Sequence, residues 1–154
     1  MLWSEFESSL VEVAERFPLP TGVPALSYGT AGFRTAGSLL TAAACRLALV
    51  CTLRSKVCGG KAVGLMITAS HNPAADNGMK IVDHDGGMLD RGWEPFTTDM
   101  VNAPDGASLL VTVRQFISNH YAGAENETHI RPIVHVGRDT RPTGADLLAA
   151  FTSG

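Results

Sequence analysis

A long apolar helix followed almost at once by an uninterrupted apolar strand restricts this chain more than any other feature. Residues 39–57 set Leu40, Ala43, Ala44, Leu47, Val50 and Cys51 at helical spacing, and Gly59-Gly60 closes the helix. Ala62 to Ile67 then runs without a polar residue for the length of a strand. Such a strand is normally covered on both faces, as in an α/β sheet. Around this unit the chain reads as alternating elements. Trp3, Phe6, Leu10, Val13 and Phe17 mark one face of an N-terminal helix that Pro18 and Pro20 end. Leu26–Phe33, Met79–Val82 and Ile133–Val136 read as further strands, and Pro95–Val101 and Leu109–Tyr121 as helices. A last helix opens near Thr143, with Asp146 three residues later as in a capping box. This order predicts an α/β fold, an open mixed sheet with helices on both faces. Loops 29–35, 68–73 and 137–144 follow the predicted strands, so they are expected to converge at one edge, where open α/β sheets bind ligands.

With 154 residues, 45% of them hydrophobic, the chain has material for one domain and its core. Residues 1–24 are the N-terminal helix and linker of that domain. Lys and Arg number 12 against 15 Asp and Glu, so the basic excess needed to neutralise a nucleic-acid backbone is missing. Cys45, Cys51 and Cys58 are odd in number and lack C-x-x-C spacing, which reads as thiols rather than disulfides or a zinc site. The N-terminus has no signal-peptide pattern, and Arg46 interrupts the most apolar stretch, Leu39–Leu53, short of a membrane span. The sequence therefore predicts a cytoplasmic protein with neither nucleic-acid nor membrane partners, in which the sequon Asn126-Glu127-Thr128 stays unmodified. Asp83-His84-Asp85-Gly86 superficially resembles an acidic metal loop but reads as a hairpin turn without the closing glutamate of a calcium site.

Thr68-Ala69-Ser70-His71-Asn72-Pro73 is the most informative hexapeptide. A buried strand delivers Ser70 to a loop tip, Asn72-Pro73 forces a turn, and His71 adds an imidazole beside the serine. By composition alone it is an exposed polar turn. It is a poor serine hydrolase, because adjacent Ser70 and His71 point apart on an extended backbone and no G-x-S-x-G elbow is present.

As a string, T-A-S-H-N-P resembles the active-site serine loop of the α-D-phosphohexomutases. Three more segments are similar to that family: Tyr28-Gly29-Thr30-Ala31-Gly32-Phe33-Arg34, Asp76-Asn77-Gly78-Met79-Lys80-Ile81-Val82, and Gly137-Arg138-Asp139-Thr140-Arg141-Pro142. In most of the family G-R-D-T-R precedes the serine loop, whereas here it follows by more than sixty residues. That permuted order resembles the acetylglucosamine-phosphate mutase branch.

The resemblance implies an isomerase that moves a phosphoryl group between the 6- and 1-positions of N-acetylglucosamine, toward UDP-N-acetylglucosamine. It implies that Ser70 rests as a phosphoserine, that Mg²⁺ binds partly through the Ser70 phosphate, and that His71 positions the loop or assists proton transfer. Arg34 and Lys80, with Arg138 as a phosphate-binding residue, would supply positive charge. Without the family match, Lys80 reads as a solvated edge lysine, and Arg138, Asp139 and Arg141 as a surface ion-pair cluster of little consequence. The family's fold has four domains, and residues 1–154 resemble an incomplete first one, without the acidic metal loop D-G-D-x-D-R. The expected partners are a phosphosugar, the remaining domains of a longer enzyme and, through exposed sheet, other copies of the fragment. The rival reading is a non-catalytic phosphate-binding or interaction module.

Overall fold

The structure, a computed structural model, describes residues 3–123 and 129–154; the sequon and most of the polar linker at 123–129 lie outside them. The chain order is α1 (Trp3–Arg16), β1 (Phe33–Ala36), a 3-10 turn (Gly37–Leu39), α2 (Thr41–Val57), β2 (Ala62–Ile67), β3 (Asp76–Val82), α3 (Trp93–Asn102), α4 (Gly106–His120), β4 (Ile133–Arg138) and α5 (Gly144–Ser153). All of α2 except Thr41, Thr52 and Val57 is buried. A helix apolar on every side has no face to give to water, so it lies in the interior. Around it pack α1, α3, α5 and the strands β2 and β4.

Arg46, the one charge in the apolar run, is completely buried in α2. Its Nη1 donates to Phe17 O at 2.8 Å and Ala42 O at 3.2 Å, and its Nη2 donates to Ala103 O at 3.2 Å. Phe17 and Ala103 stand just past the ends of α1 and α3, where helix carbonyls lack partners. Each charged hydrogen bond contributes ~1.5–3 kcal/mol. Three of them offset the several kcal/mol that desolvating a cation costs. Arg46 therefore ties two helix ends to the central helix.

The sheet runs β1-β3-β2-β4. β3 is antiparallel to both β1 and β2, while β4 lies parallel to β2 with Ile67 beside Arg138. One face of this sheet packs into the helical core, and part of the opposite face is open to solvent. Val63, Leu65, Ile67, Met79 and Ile81 point into the core, whereas Met66 and Ile133 are each 47% exposed on the opposite face. The apolar run of β2 thus alternates in burial although it does not alternate in chemistry. β1 also starts later than expected. Residues 29–32 form a tight turn ahead of it, closed by hydrogen bonds between Gly29 and Gly32.

Helix α5 occupies ten residues and buries Leu147, Ala150 and Phe151 against the core. Thr143 is its N-cap residue but makes no capping bond; its Oγ1 accepts from Asn77 Nδ2 at 3.0 Å. α3 and α4 are joined through stacked Phe96 and Phe116 rings, and Trp93 Nε1 donates to the Tyr121 hydroxyl at 2.8 Å.

Beyond the end of β3, the Asp83 turn closes with Gly86 N–H on Asp83 O and Asp83 N–H on Gly87 O. The hairpin-like turn expected there is present. Arg54 Nε and Nη2 donate to Asp83 at 3.0 and 2.7 Å, and the pair is buried. Burial alone would raise the Asp83 pKa, but hydrogen bonds from Arg54 and the His84 backbone hold it well below the ordinary range. A carboxyl whose pKa is depressed by folding stabilises the fold fully above its unfolded value, ~3.9, and that contribution is lost as pH falls further. Asp83→Asn leaves Arg54 buried without its counter-ion and is expected to cost ~3–5 kcal/mol at pH 7. In urea titrations at several pH values, the variant should also lose less stability between pH 5 and pH 2 than the parent.

Candidate active site around the Ser70 loop

The C-terminal end of β2 delivers Thr68, Ala69 and Ser70 into a loop that returns through Asp76 into β3. Ser70 is the one non-glycine residue with positive φ, at 53°, among the described residues. This left-handed conformation costs ~1–3 kcal/mol for a side-chain-bearing residue and persists only where surrounding contacts enforce it. Ser70 is exposed, and among the described residues its hydroxyl has no hydrogen-bond partner. His71, beside it, is exposed too.

Strand register sets the neighbours. Arg34 lies opposite Gly78, and Lys80 lies opposite Met66. Arg34, Gly78, Lys80 and Met66 therefore share the open face, with Arg34 and Lys80 diagonal across one strand pair at about 7–8 Å. Arg34 Nη1 reaches Asn72 Oδ1 of the serine loop at 3.5 Å. Lys80 is half-buried, and no described carboxylate pairs with it. Gly78 keeps this strip low, since a Cβ there would lie 2.7 Å from Thr68 O. Arg138 departs from the group. It pairs with Ile67, whose side chain faces the core, and its guanidinium donates to Asp139 O beside the start of α5. The structure thus brings Ser70, His71, Arg34 and Lys80 to one region and turns Arg138 toward the other side of the sheet.

The loop at 137–144 approaches Ser70 through different residues. Thr68 Oγ1 donates to Asp139 Oδ2 at 2.6 Å and accepts from Ser70 N–H at 3.2 Å. The Thr68 hydroxyl and then the Arg141 backbone N–H hold the Asp139 carboxyl below its usual pKa range. Arg141 donates to Ser70 O, Asn72 O, Pro73 O and Asp76 O, at 2.6 to 3.1 Å, and to Asp139 Oδ2 at 3.2 Å. With its side chain 9% exposed, Arg141 is no surface ion pair of little consequence.

The family model for "Phosphoglucomutase/phosphomannomutase, alpha/beta/alpha domain I" matches residues 47–105. Over 130 residues the chain is 48% identical to a phosphoacetylglucosamine mutase of Oryza sativa subsp. japonica, covering 83% of this chain. A solved apo N-acetylglucosamine-phosphate mutase, described as a member of the alpha-D-phosphohexomutase superfamily, superposes with a TM-score of 0.85 at 38% identity over 96% of this chain. An Aspergillus fumigatus N-acetylphosphoglucosamine mutase in complex with GlcNAc-6P and magnesium superposes with a TM-score of 0.80 at 32% identity, again over 96% of this chain. The chain belongs to the α-D-phosphohexomutase superfamily. It corresponds to a first domain, spanning 22% of the rice relative and 31% and 26% of the two solved chains.

Within this phosphohexomutase domain, sequence reasoning does not single out Thr68, Asp139, Arg141, Asn77 and Thr143 as working residues. All but Thr143 stand inside the family-like motifs, but their partners lie 65 to 71 residues away in the chain, beyond the reach of any spacing rule. A second group of metal-ligating types, Cys58, Asp83 and His84, gathers its donor atoms within 4.8 Å. It sits past the far end of β3, whose seven residues span ~23 Å. Arg54 already takes both Asp83 oxygens, so this group is a structural ion pair.

The turn before β1 is fixed by Gly32, with φ of 72° and a backbone so close to β3 that a Cβ would overlap Met79 O. From the same turn Tyr28 sends its hydroxyl oxygen to accept from Ile81 N–H at 2.9 Å, and burial pushes its pKa up to about 12, so it stays neutral. Gly32→Ala is expected to destabilise by at least ~1–3 kcal/mol. Gly29→Ala, with negative φ and nothing within 4 Å of the new Cβ, should change stability by less than ~0.5 kcal/mol. Urea midpoints of the two variants test this.

Proposed function

We propose that this chain is the phosphoserine-carrying domain of a mutase that interconverts N-acetylglucosamine 6-phosphate and N-acetylglucosamine 1-phosphate for UDP-N-acetylglucosamine synthesis. The observation that carries this reading is the Ser70 loop itself. An exposed serine is held in a left-handed conformation just past the end of β2, with Arg34 and Lys80 on the open strip beside it. The names of the relatives support the reaction class and the sugar. Because the chain spans about a quarter of those relatives, the substrate and the complete activity belong to a longer protein.

In this reading the resting Ser70 phosphate is attacked by a hydroxyl of the sugar phosphate. The Ser70 Oγ–phosphorus bond breaks as the new sugar-oxygen–phosphorus bond forms, and the hydroxyl proton leaves to a base such as His71. The bisphosphate turns over in the site, and its other phosphate returns to Ser70 Oγ. Phosphoryl transfer depends chiefly on positioning and on neutralising charge on the transferring oxygens. Lys80 is suited to the second task, as a half-buried residue whose ammonium no described carboxylate pairs. Arg34 both reaches the loop and faces the strip. Arg138, turned away, serves at most a distal phosphate of the substrate.

Mg²⁺ is a hard cation that takes oxygen ligands and neutralises phosphate charge. A phosphate on the free Ser70 hydroxyl fits it as one ligand. The nearby Asp139 carboxylate is engaged by Thr68 and Arg141, so this domain supplies little beyond that phosphate. The remaining ligands belong to other parts of the longer protein.

Replacing the matching segment of the rice relative with this chain tests the proposal. After incubation with glucose 1,6-bisphosphate, peptide mapping should find phosphate on the peptide containing Ser70. Ser70→Ala should lower turnover at least a thousandfold, ~4 kcal/mol. Phosphate found only elsewhere, or full turnover in Ser70→Ala, overturns the role of Ser70. Faster turnover of glucose phosphate than of N-acetylglucosamine phosphate overturns the substrate assignment.

The 154-residue chain alone is expected to be inactive and to self-associate through its open sheet face, where Met66 and Ile133 are exposed. Activity within about a hundredfold of the chimera, a gap of ~3 kcal/mol, would overturn the first expectation. A monomer by light scattering would overturn the second.

A further inference from the structure

We propose that Arg141 is a positioning residue that holds Ser70 in the conformation from which phosphoryl transfer occurs; this deepens the reading of Ser70 as the phosphoryl carrier. Two peptide planes flank Ser70, and their orientation is what φ and ψ describe. The first carries the Ser70 N–H, which donates to Thr68 Oγ1, itself anchored on Asp139 Oδ2. The second carries the Ser70 carbonyl, which accepts from Arg141 Nη2 at 2.6 Å. Arg141 Nε donates to the same Asp139 oxygen at 3.2 Å, so both planes are fastened to one ion pair. Fixing both planes fixes both dihedrals of Ser70, including its φ of 53°.

The guanidinium suits this task because its five N–H groups lie in one plane and point outward in fixed directions. Here all five are used, one on Asp139 and four on the carbonyls of Ser70, Asn72, Pro73 and Asp76. Backbone amides already bond Ala69 O, Pro73 O and Ala75 O, whereas Ser70 O and Asn72 O receive their hydrogen bonds from Arg141. Without Arg141, two inward carbonyls lose their donor and Ser70 is free to relax to the broad negative-φ regions that L-residues prefer. That relaxation changes the direction in which Cβ and Oγ leave the backbone. Lysine brings three donors on a tetrahedral point charge, which cannot meet five acceptors arranged around a plane.

Arg141 lies behind the loop, touching its backbone, so its loss should affect the rate of transfer and leave substrate affinity nearly unchanged. In the 154-residue chain, amide exchange and the three-bond coupling that reports φ at Ser70 can be compared in the parent, Arg141→Lys, Asp139→Asn and the exposed control Arg91→Ala. Arg141→Lys and Asp139→Asn should speed exchange at residues 70–76 at least tenfold and shift the Ser70 coupling, with β2 and α2 as protected as in the parent. Arg91→Ala should match the parent. In the rice chimera, Arg141→Lys should lower kcat about a hundredfold, the effect of an ångström-scale misplacement, with KM within threefold. Parental loop exchange in Arg141→Lys, or parental kcat, overturns the proposal. Loss of protection throughout β2 and α2 overturns it as well, since Arg141 would then hold the fold rather than the loop. Absence of phosphate on Ser70 in the parental chimera defeats the functional reading alone, and the exchange data still decide whether Arg141 holds the loop.

Discussion

Burial of α2 on every side is the constraint from which the rest of the architecture follows. A helix without a polar face needs partners all round, and α1, α3, α5, β2 and β4 supply them. The cost of placing Arg46 inside this helix is offset by carbonyls at the ends of α1 and α3, which places those helices as well. With so many helices drawn to one side, the sheet is left with one face in the core and one open. The open face is where Arg34, Gly78 and Lys80 stand. The arrangement that buries the core therefore also leaves the site accessible.

The two ends of the sheet carry two different kinds of ion pair. At one end, Arg54 and Asp83 are buried and joined by two hydrogen bonds, with Trp93 under the guanidinium at 5.0 Å. Both Asp83 oxygens are taken up by Arg54, and the pair closes the β3 turn onto α2. At the other end, Arg141 and Asp139 spend their hydrogen-bonding capacity on the backbone of one exposed loop. The side chains at the tip of that loop remain free for chemistry. Asn77 and Thr143 add to this by tying the start of β3 to the start of α5.

Elements are legible in the amino-acid sequence where local chemistry alone dictates them. The 3.6-residue spacing of Phe6, Leu10 and Val13 marks α1, whose core face consists of those residues and Ala14. The run Ala62–Ile67 is β2 residue for residue. The β1 boundary is not legible in this way, because a Gly-rich turn next to a strand is locally similar whether it precedes or follows. Only the approach of Gly32 to Met79 fixes it before the strand. An apolar run does not show which of its residues reach solvent, and Met66 and Ile133 stand exposed on the sheet's open side.

By itself the sequence determined the element types, the family resemblance and the candidate residues Ser70, His71, Arg34 and Lys80, because periodicity and short motifs are properties of neighbouring residues. Strand order, the covered face and the turning of Arg138 away from the site were decided by the tertiary structure. They depend on register between strands far apart in the chain. So was the role of Arg141. A loop-bound arginine reads locally as a solvated charge, and it becomes the anchor of Ser70 only when the parallel pairing of β4 with β2 carries it to carbonyls some seventy residues away.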